Sequence, residues 1–511
     1  MASSISTDDM KRGLVRGVDW FGAAFQERVQ IDLRALAVFR IALGSIIVLD
    51  LILRARNFTA FYTNDGVLPN EALYDSYTDV HSLHAWVGEA WLVALLFVVA
   101  GLLGVSMLLG YRTRTVTFLS WIMLFSLHNR NPMVLNGGDG MLRLLVFWSI
   151  FLPLGERWSI DASRFDRDRT SVATMASLAI LAQIVIMYVS NFVHKTRGEA
   201  WIDGEAVPYI LTLDQFTVLL GPYLVEFPDL LVAFSYGWMV LMALAPFLLL
   251  LTGWPRAAVA TGFVGMHLGM LLTLQIGVFP LVVISALLLF YPPFVWDRAV
   301  QVAAQRGIVD RLRALRARID AARPSPTIPG PVVPLPATLP GARPVLSTIV
   351  PALFLVFIIM ANAHVLGYAS APPEPGQTLL DKTDNEQNWR LFAPHPLKDT
   401  RWFVAEGTLA NGDTVDARHG GPVRWDRPPN PADRVGTARW RKYLSNVYGA
   451  DDQQSYYANY LCDRWNRTHD SQLETVEVHV FNQQGTPWGG ESEVQRTRLV
   501  AYDCSGPLIQ P

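Results

Sequence analysis

Three groups of polar residues interrupt apolar stretches, and their types suit proton chemistry. Lys195 ends the run Tyr188-Val-Ser-Asn-Phe-Val-His194-Lys195 at the close of a long apolar segment. A lysine there either snorkels to a membrane interface or, withdrawn from water, offers a neutral amine that takes a proton. The following Gly198-Glu-Ala-Trp201-Ile-Asp-Gly204 would turn the chain and anchor it at the interface through Trp201. The second group is His128-Asn129-Arg-Asn131-Pro-Met-Val-Leu-Asn136-Gly-Gly-Asp139-Gly-Met-Leu-Arg143. Asp139 and Arg143 are spaced i,i+4, which reads first as a helix-start ion pair. His128 and Asn136 are better placed to contact a ligand. The third is His267 in Gly265-Met-His-Leu-Gly-Met270, with Gln275 two turns on. A lone intramembrane histidine either packs with its hydrogen bonds satisfied or serves a site. Ionisable groups inside a span are costly, so all three groups are functional candidates. No Cys/His/Asp spacing resembles a zinc site, and no P-loop or Gly-x-Ser-x-Gly elbow occurs. No metal is therefore predicted, and nucleotide and hydrolase chemistry are disfavoured.

The elements that must position these residues are membrane helices. The chain has 511 residues, 51% hydrophobic and 17% charged, against about 25% charged in a soluble domain. Its net charge of -2 gives no reason to expect a nucleic-acid partner. Runs near the roughly 20 residues needed to span are Ala35–Leu53, Trp91–Leu109, Val172–Val193, Leu230–Leu251, Ala257–Leu274, Val278–Phe294 and Leu346–Tyr368. Val116–Leu127 and Met141–Leu154 are shorter, and the turn at His128–Pro132 between them suggests a helical hairpin. The expected fold is a membrane α-helical bundle of about nine transmembrane helices. Val207–Val225, broken by Asp214 and Pro222, reads as interfacial or re-entrant.

Lysine and arginine set the expected orientation. They collect in residues 1–34, beside Arg112 and Arg114, at Arg157–Arg169, at Arg256 and at Arg298–Arg323. Alternate loops carry fewer, chiefly Arg54, Arg56, Arg130, Lys195 and Arg197. This predicts a multi-pass plasma-membrane protein with a cytoplasmic N-terminus, no cleaved signal peptide and a C-terminus on the far side. The expected divisions are a cytoplasmic segment 1–34, a transmembrane core 35–296, a linker region 297–345, a last span 346–368 and an extracytoplasmic domain 369–511. Val300–Ala322 reads as an amphipathic helix, either solvated or lying on the inner leaflet, and Ser325–Pro344 as a stiff proline-rich linker.

The distal region is expected to be an α+β domain with an antiparallel sheet. Trp402–Ala410 and Thr414–Ala417 flank Asn411-Gly412, a hairpin signal, and Leu473–Phe481 and Arg496–Tyr502 read as two more strands. Ala438–Asn466 between them reads as helical and aromatic-rich. Cys462 and Cys504 are the only cysteines. Outside the cytoplasm they can form a disulfide.

At these residues the sequence resembles the vitamin K-dependent gamma-carboxylase-like superfamily, also called the horizontally transferred transmembrane (HTTM) domain family, in its bacterial form. The segments that carry the resemblance are His128-Asn-Arg-Asn-Pro with Asn136-Gly-Gly-Asp139, Lys195 with Trp201-x-x-Gly204, and His267 with Gly277-Val-Phe-Pro280. Distal segments are Asn388-Trp389 with Phe392-Ala-Pro-His-Pro396, Arg439-Trp-Arg-Lys-Tyr443 and Tyr460-Leu-Cys-Asp-Arg-Trp-Asn466. The resemblance implies that Lys195 is a base that deprotonates a reduced vitamin K-type, menaquinol-like quinone. Oxygen addition would then give a strongly basic alkoxide. That base would remove a γ-proton from a protein glutamate, whose carbanion takes up carbon dioxide as quinone epoxide leaves. The resemblance further implies that His267 is catalytic. It makes His128, Asn129, Asn131, Asn136, Asp139, Arg143 and Trp201 candidates for quinol and substrate binding.

The expected function is quinol-dependent glutamate carboxylation in an extracytoplasmic protein or peptide. The alternative is a non-enzymatic quinone- or lipid-binding assembly factor that holds a partner through Arg439–Trp465. A transporter is disfavoured, because no inverted repeat or matched pair of broken helices occurs.

Overall fold

The computed structural model describes residues 22–506 except 78, 87, 165–168, 309, 312–313, 315–344, 384 and 491. The proline-rich linker and part of the expected amphipathic helix lie outside these residues.

Helix α1, Leu33–Ala55, starts where the Asp32 side chain accepts from the Arg34 backbone N–H. The two-residue strands β1, Ile31–Asp32, and β2, Ser171–Val172, pair just before it. Helix α2, Ala90–Leu109, ends at Gly110 in the left-handed conformation (φ 69°), which glycine adopts without a Cβ penalty. It packs closely on α1, since a Cβ on Gly44 would meet Leu108 N at 2.6 Å. Its outer face is bare, with Val98 and Leu102 about 60% exposed (58% and 62%). Exposed aliphatic faces of this size suit lipid, not water.

Helices α3, Thr113–Arg130, and α4, Gly137–Ser149, form the expected hairpin, joined by the 3-10 turn Pro132–Val134. Helix α5, Met175–Lys195, begins at a Thr174–Ser177 capping box and is buried along most of its length. Next come α6, Pro228–Ala243, α7, Gly253–Thr273, α8, Phe279–Leu287, α9, Pro293–Gln305, and α10, Val350–Val365.

Among the described residues, four helices are long and apolar enough to cross a membrane, or up to five if one bent pair is a single span. The sequence predicted about nine by the hydropathy rule. Apolar composition continued through several stretches where the helix does not. Leu230–Leu251 stops after Ala243 and resumes as a short turn behind Pro246. Val278–Phe294 bends by 108° at Pro292-Pro293. Val207–Val225 is broken as expected. It forms short helices Ala206–Leu211 and Gly221–Leu224, and its Val218 and Leu220 N–H groups bond Thr273 and Leu272 at the end of α7. These apolar helices mark a membrane protein.

The C-terminal region holds strands β3, Asp399–Leu409, β4, Thr414–Asp416, β5, Leu473–Gln484, and β6, Val494–Asp503, in the antiparallel order β4-β3-β5-β6. Gly412 turns the β3–β4 hairpin at φ 87°. Helix α11, Ala438–Tyr448, packs on helix α12, Asp451–Thr468, with Tyr443 against Tyr457, and α12 packs on β5 and β6, where Val476, Val478 and Val480 are buried. Cys462 of α12 is bonded to Cys504 after β6, with a sequence separation of 42.

Closing a loop of that length constrains the unfolded chain. Cys504→Ser is expected to destabilise the sheet by about 2–4 kcal/mol. Hydrogen exchange of the β5 and β6 amides would show it; unchanged protection would mean that the bridge adds nothing.

Candidate functional site

Helix α5 carries Tyr188, Asn191 and Lys195 on one face, at the i, i+3, i+7 spacing of neighbouring turns. Across that face runs a strap, residues 385–396, leading into β3. Its backbone carbonyls receive the helix's polar side chains. Asn191 donates to Trp389 O (2.8 Å) and Leu391 O (3.1 Å). Lys195 Nζ donates to Leu391 O (2.8 Å) and lies 3.3 Å above the Trp201 ring. The Trp201 indole donates to Phe392 O at 2.7 Å. Trp201 is therefore a buried wall of the site (1% exposed) and not the interfacial anchor expected of it. About three turns of helix before Lys195, Gln183 and Gln387 exchange amide hydrogen bonds of 2.8 and 2.9 Å inside the apolar core. These bonds satisfy polar groups that would otherwise cost free energy when buried.

The strap, α5, α6 and α7 border a half-open cavity of about 870 Å³. Tyr188, Asn191, Trp201 and Leu391 line it, as do Asn136, His267 and Phe279. Tyr188 Oη and His267 Nε2 are hydrogen-bonded at 2.8 Å. His267 Nδ1 is buried with no partner among the described residues. Phe263 stacks on Tyr188 at 4.0 Å and Phe279 packs edge-on to His267 at 5.6 Å, which fixes both rings. Lys195 sits directly behind Trp201 and Leu391 and is itself 1% exposed. Trp201, Asn136 and His267, from the three sequence groups, thus line one largely apolar cavity, and Lys195 lies behind its Trp201–Leu391 wall.

The rest of the second group lies elsewhere. Asp139 caps α4 by accepting from Asn136 N–H (2.8 Å) and is held by arginines other than Arg143. Arg54 bridges it to Asp50, and Arg439 of α11 reaches Asp50 (2.6 Å) and Asp139 (2.9 Å). Arg143 instead meets His128 Nδ1 at 3.1 Å. Asn131 caps the 3-10 turn and donates to Phe61 O, while Asn129 donates back to Phe125 O. None of His128, Asn129, Asn131, Asp139 and Arg143 lines the cavity. Asp50, His128 and Asp139 lie close enough to share a cation, but guanidinium donors already take the carboxylate oxygens. This cluster docks the C-terminal region onto the helices.

The sequence reading missed Asp50, Arg54, Tyr188 and Asn191. Asp50 lies inside the first apolar run, so the rule that singled out His267 also applies to it. Tyr188 and Asn191 share the α5 face with Lys195, which helical spacing alone reveals.

Two outcomes are expected. Arg439→Met leaves two buried carboxylates under-compensated and should cost about 3–5 kcal/mol. Adding Asp50→Asn should recover part of that loss in thermal unfolding; strictly additive effects would mean the residues do not act as a unit. Gly198 has no room for a side chain, because a Cβ would overlap the Pro394 carbonyl oxygen. Gly198→Ala should therefore lift the strap, read as faster protease cleavage between residues 385 and 396. Wild-type cleavage rates would contradict the docking.

Neither curated proteins nor solved structures give a match to this chain. The family model of the HTTM domain matches residues 29–296, from just before α1 into α9 and over more than half of the sequence. The chain belongs to the HTTM domain family.

Proposed function

We propose that the cavity beneath the strap is the active site of a gamma-carboxylase-like membrane enzyme that uses a reduced, menaquinol-like quinone. The observation that carries this reading is the meeting of Asn136, the Tyr188–His267 pair and the Lys195–Trp201–Leu391 cluster around one apolar cavity. The residues fit such a ligand. Aromatic and aliphatic walls suit a quinone ring, and the unpartnered His267 Nδ1 is a polar atom that a ring oxygen or hydroxyl could satisfy. When bound, a quinol would supply reducing electrons and an ionisable hydroxyl. Lys195 then holds or takes the proton, through a shift of the Leu391–Trp201 wall that separates it from the cavity. Tyr188 orients His267. The strap excludes water, which would quench a strong base. With the N-terminus inside and the C-terminal region outside, a glutamate of an extracytoplasmic protein or peptide would enter beside the strap.

A second reading has its own support. Lys195 already donates to Leu391 and stacks on Trp201, so its role could be to pin the strap over a quinone- or lipid-binding cavity that performs no chemistry. The aromatic stretch Arg439–Trp465, which suggested a partner surface, gives this reading less support. Tyr443, Tyr457 and Trp465 are buried, and Trp440 packs on Phe61 at 4.6 Å.

Reconstitution with reduced menaquinone, oxygen, bicarbonate and a glutamate peptide tests the proposal. Quinone epoxide and carboxylated peptide are expected. Lys195→Met should lower turnover by about 100-fold or more, with only a modest loss of thermal stability because Asn191 still donates to Leu391 O. Neither product in the wild type, or equal turnover in the variant, would sink the enzymatic reading.

A further inference from the structure

One side of the cavity is basic. Arg401 of β3 and Arg441 and Lys442 of α11 line it, with Arg390 of the strap exposed beside them. No carboxylate lines the cavity among the described residues. Each of the three half-buried cations bonds only neutral acceptors. Arg401 Nε donates to Asn482 (2.8 Å), Arg441 to the Gln215 carbonyl (3.0 Å) and Lys442 to Asn446 (3.2 Å). Buried arginines elsewhere in the chain take both forms: Arg54 and Arg439 are matched by aspartates, whereas Arg130 and Arg256 bond only backbone carbonyls. What sets Arg401, Arg441 and Lys442 apart is that they line one side of a cavity. Burial brings Arg441 down to about 10, and burial together with the Arg441 charge holds Lys442 below its ordinary range. An anion between them would reverse both effects.

The opposite side is apolar and has spare room. Phe234, Leu241 and Met242 of α6 and Met266 and Met270 of α7 line it. Gly237, Gly265 and Gly269 also line it, and a Cβ on any of them would meet nothing within 4 Å. These helices are among the apolar elements of a membrane protein, so hydrocarbon is their natural neighbour.

We propose that this cavity binds an anionic amphiphile, with an oxyanion head, carboxylate or phosphate, against Arg401, Arg441 and Lys442 and its acyl chain between α6 and α7. Arg401 and Arg441 also lie over the Tyr448 and Phe216 rings, at 4.5 and 4.0 Å, but among the described residues no carboxylate lines their cavity. Such cations beside an apolar recess select a ligand that has both an acid group and a tail. Binding requires no turnover at Lys195, so it stands whether or not the quinol reading does.

Delipidated full-length protein in neutral detergent tests this with labelled probes that differ in charge. Palmitate is compared with methyl palmitate, and phosphatidylglycerol with phosphatidylcholine. The charged member of at least one pair should bind saturably and about tenfold or more tighter than its neutral partner. Palmitate alone would identify a free acid as the source, and phosphatidylglycerol alone a bilayer lipid. Arg441→Gln with Lys442→Gln should remove that preference. Should the double variant not fold, Arg401→Gln, which lies on the sheet, should weaken the charged probe about tenfold. Gly269→Leu keeps the cations but fills the recess, and should abolish binding of the same probe. Equal affinity for charged and neutral probes, or unchanged binding in both cation variants, would overturn the proposal.

Discussion

Everything in this structure depends on how Asp50 and Asp139 are compensated. Two carboxylates buried among helices are unsustainable alone, and one arginine from α1 does not neutralise both. The second guanidinium comes from Arg439, far along the chain in the C-terminal region. That requirement brings α11 down onto the helices. Its next polar side chains, Arg441 and Lys442, are thereby delivered to the cavity, and β3 and the strap follow. The ion cluster thus builds the site without entering it.

The strap obeys the same logic with neutral groups. Its carbonyls at Trp389, Leu391 and Phe392 have lost water and are satisfied by Asn191, Lys195 and Trp201. The side chains would in turn be unsatisfied without the strap. Each half therefore determines the conformation of the other, and this favours a single, preorganised cavity over a loose groove. Preorganisation of this kind is what a site for proton transfer from a hydrophobic ligand requires.

Much of this was legible in the sequence. The first two strands of the distal sheet followed from the Asn411-Gly412 hairpin signal, the segments Leu473–Phe481 and Arg496–Tyr502 read as the other two, and the α3–α4 hairpin followed from its polar turn. Lys195, His267 and Asn136 were singled out by polarity in apolar surroundings, and the structure gathers all of them around the cavity. What was not legible came from long-range pairing. Spacing gave Asp139 one expected partner, Arg143 at i,i+4, and tertiary contact chose Arg54 and Arg439 instead. Trp201 looked interfacial because its neighbours are polar, yet the strap covers it. Hydropathy could not tell continuous spans from helices broken at Pro246 or Pro292, since composition carries no information on where backbone hydrogen bonds stop.

The central claim is that the space between Lys195 and His267 is built for a ligand. Electron cryomicroscopy of the protein in lipid nanodiscs with reduced menaquinone tests it most directly. The expected result is planar non-protein density within hydrogen-bond reach of His267 Nδ1, walled by Trp201 and Phe279. A cavity filled by its own side chains, with Tyr188 and His267 packed against the strap and no added density, would contradict it.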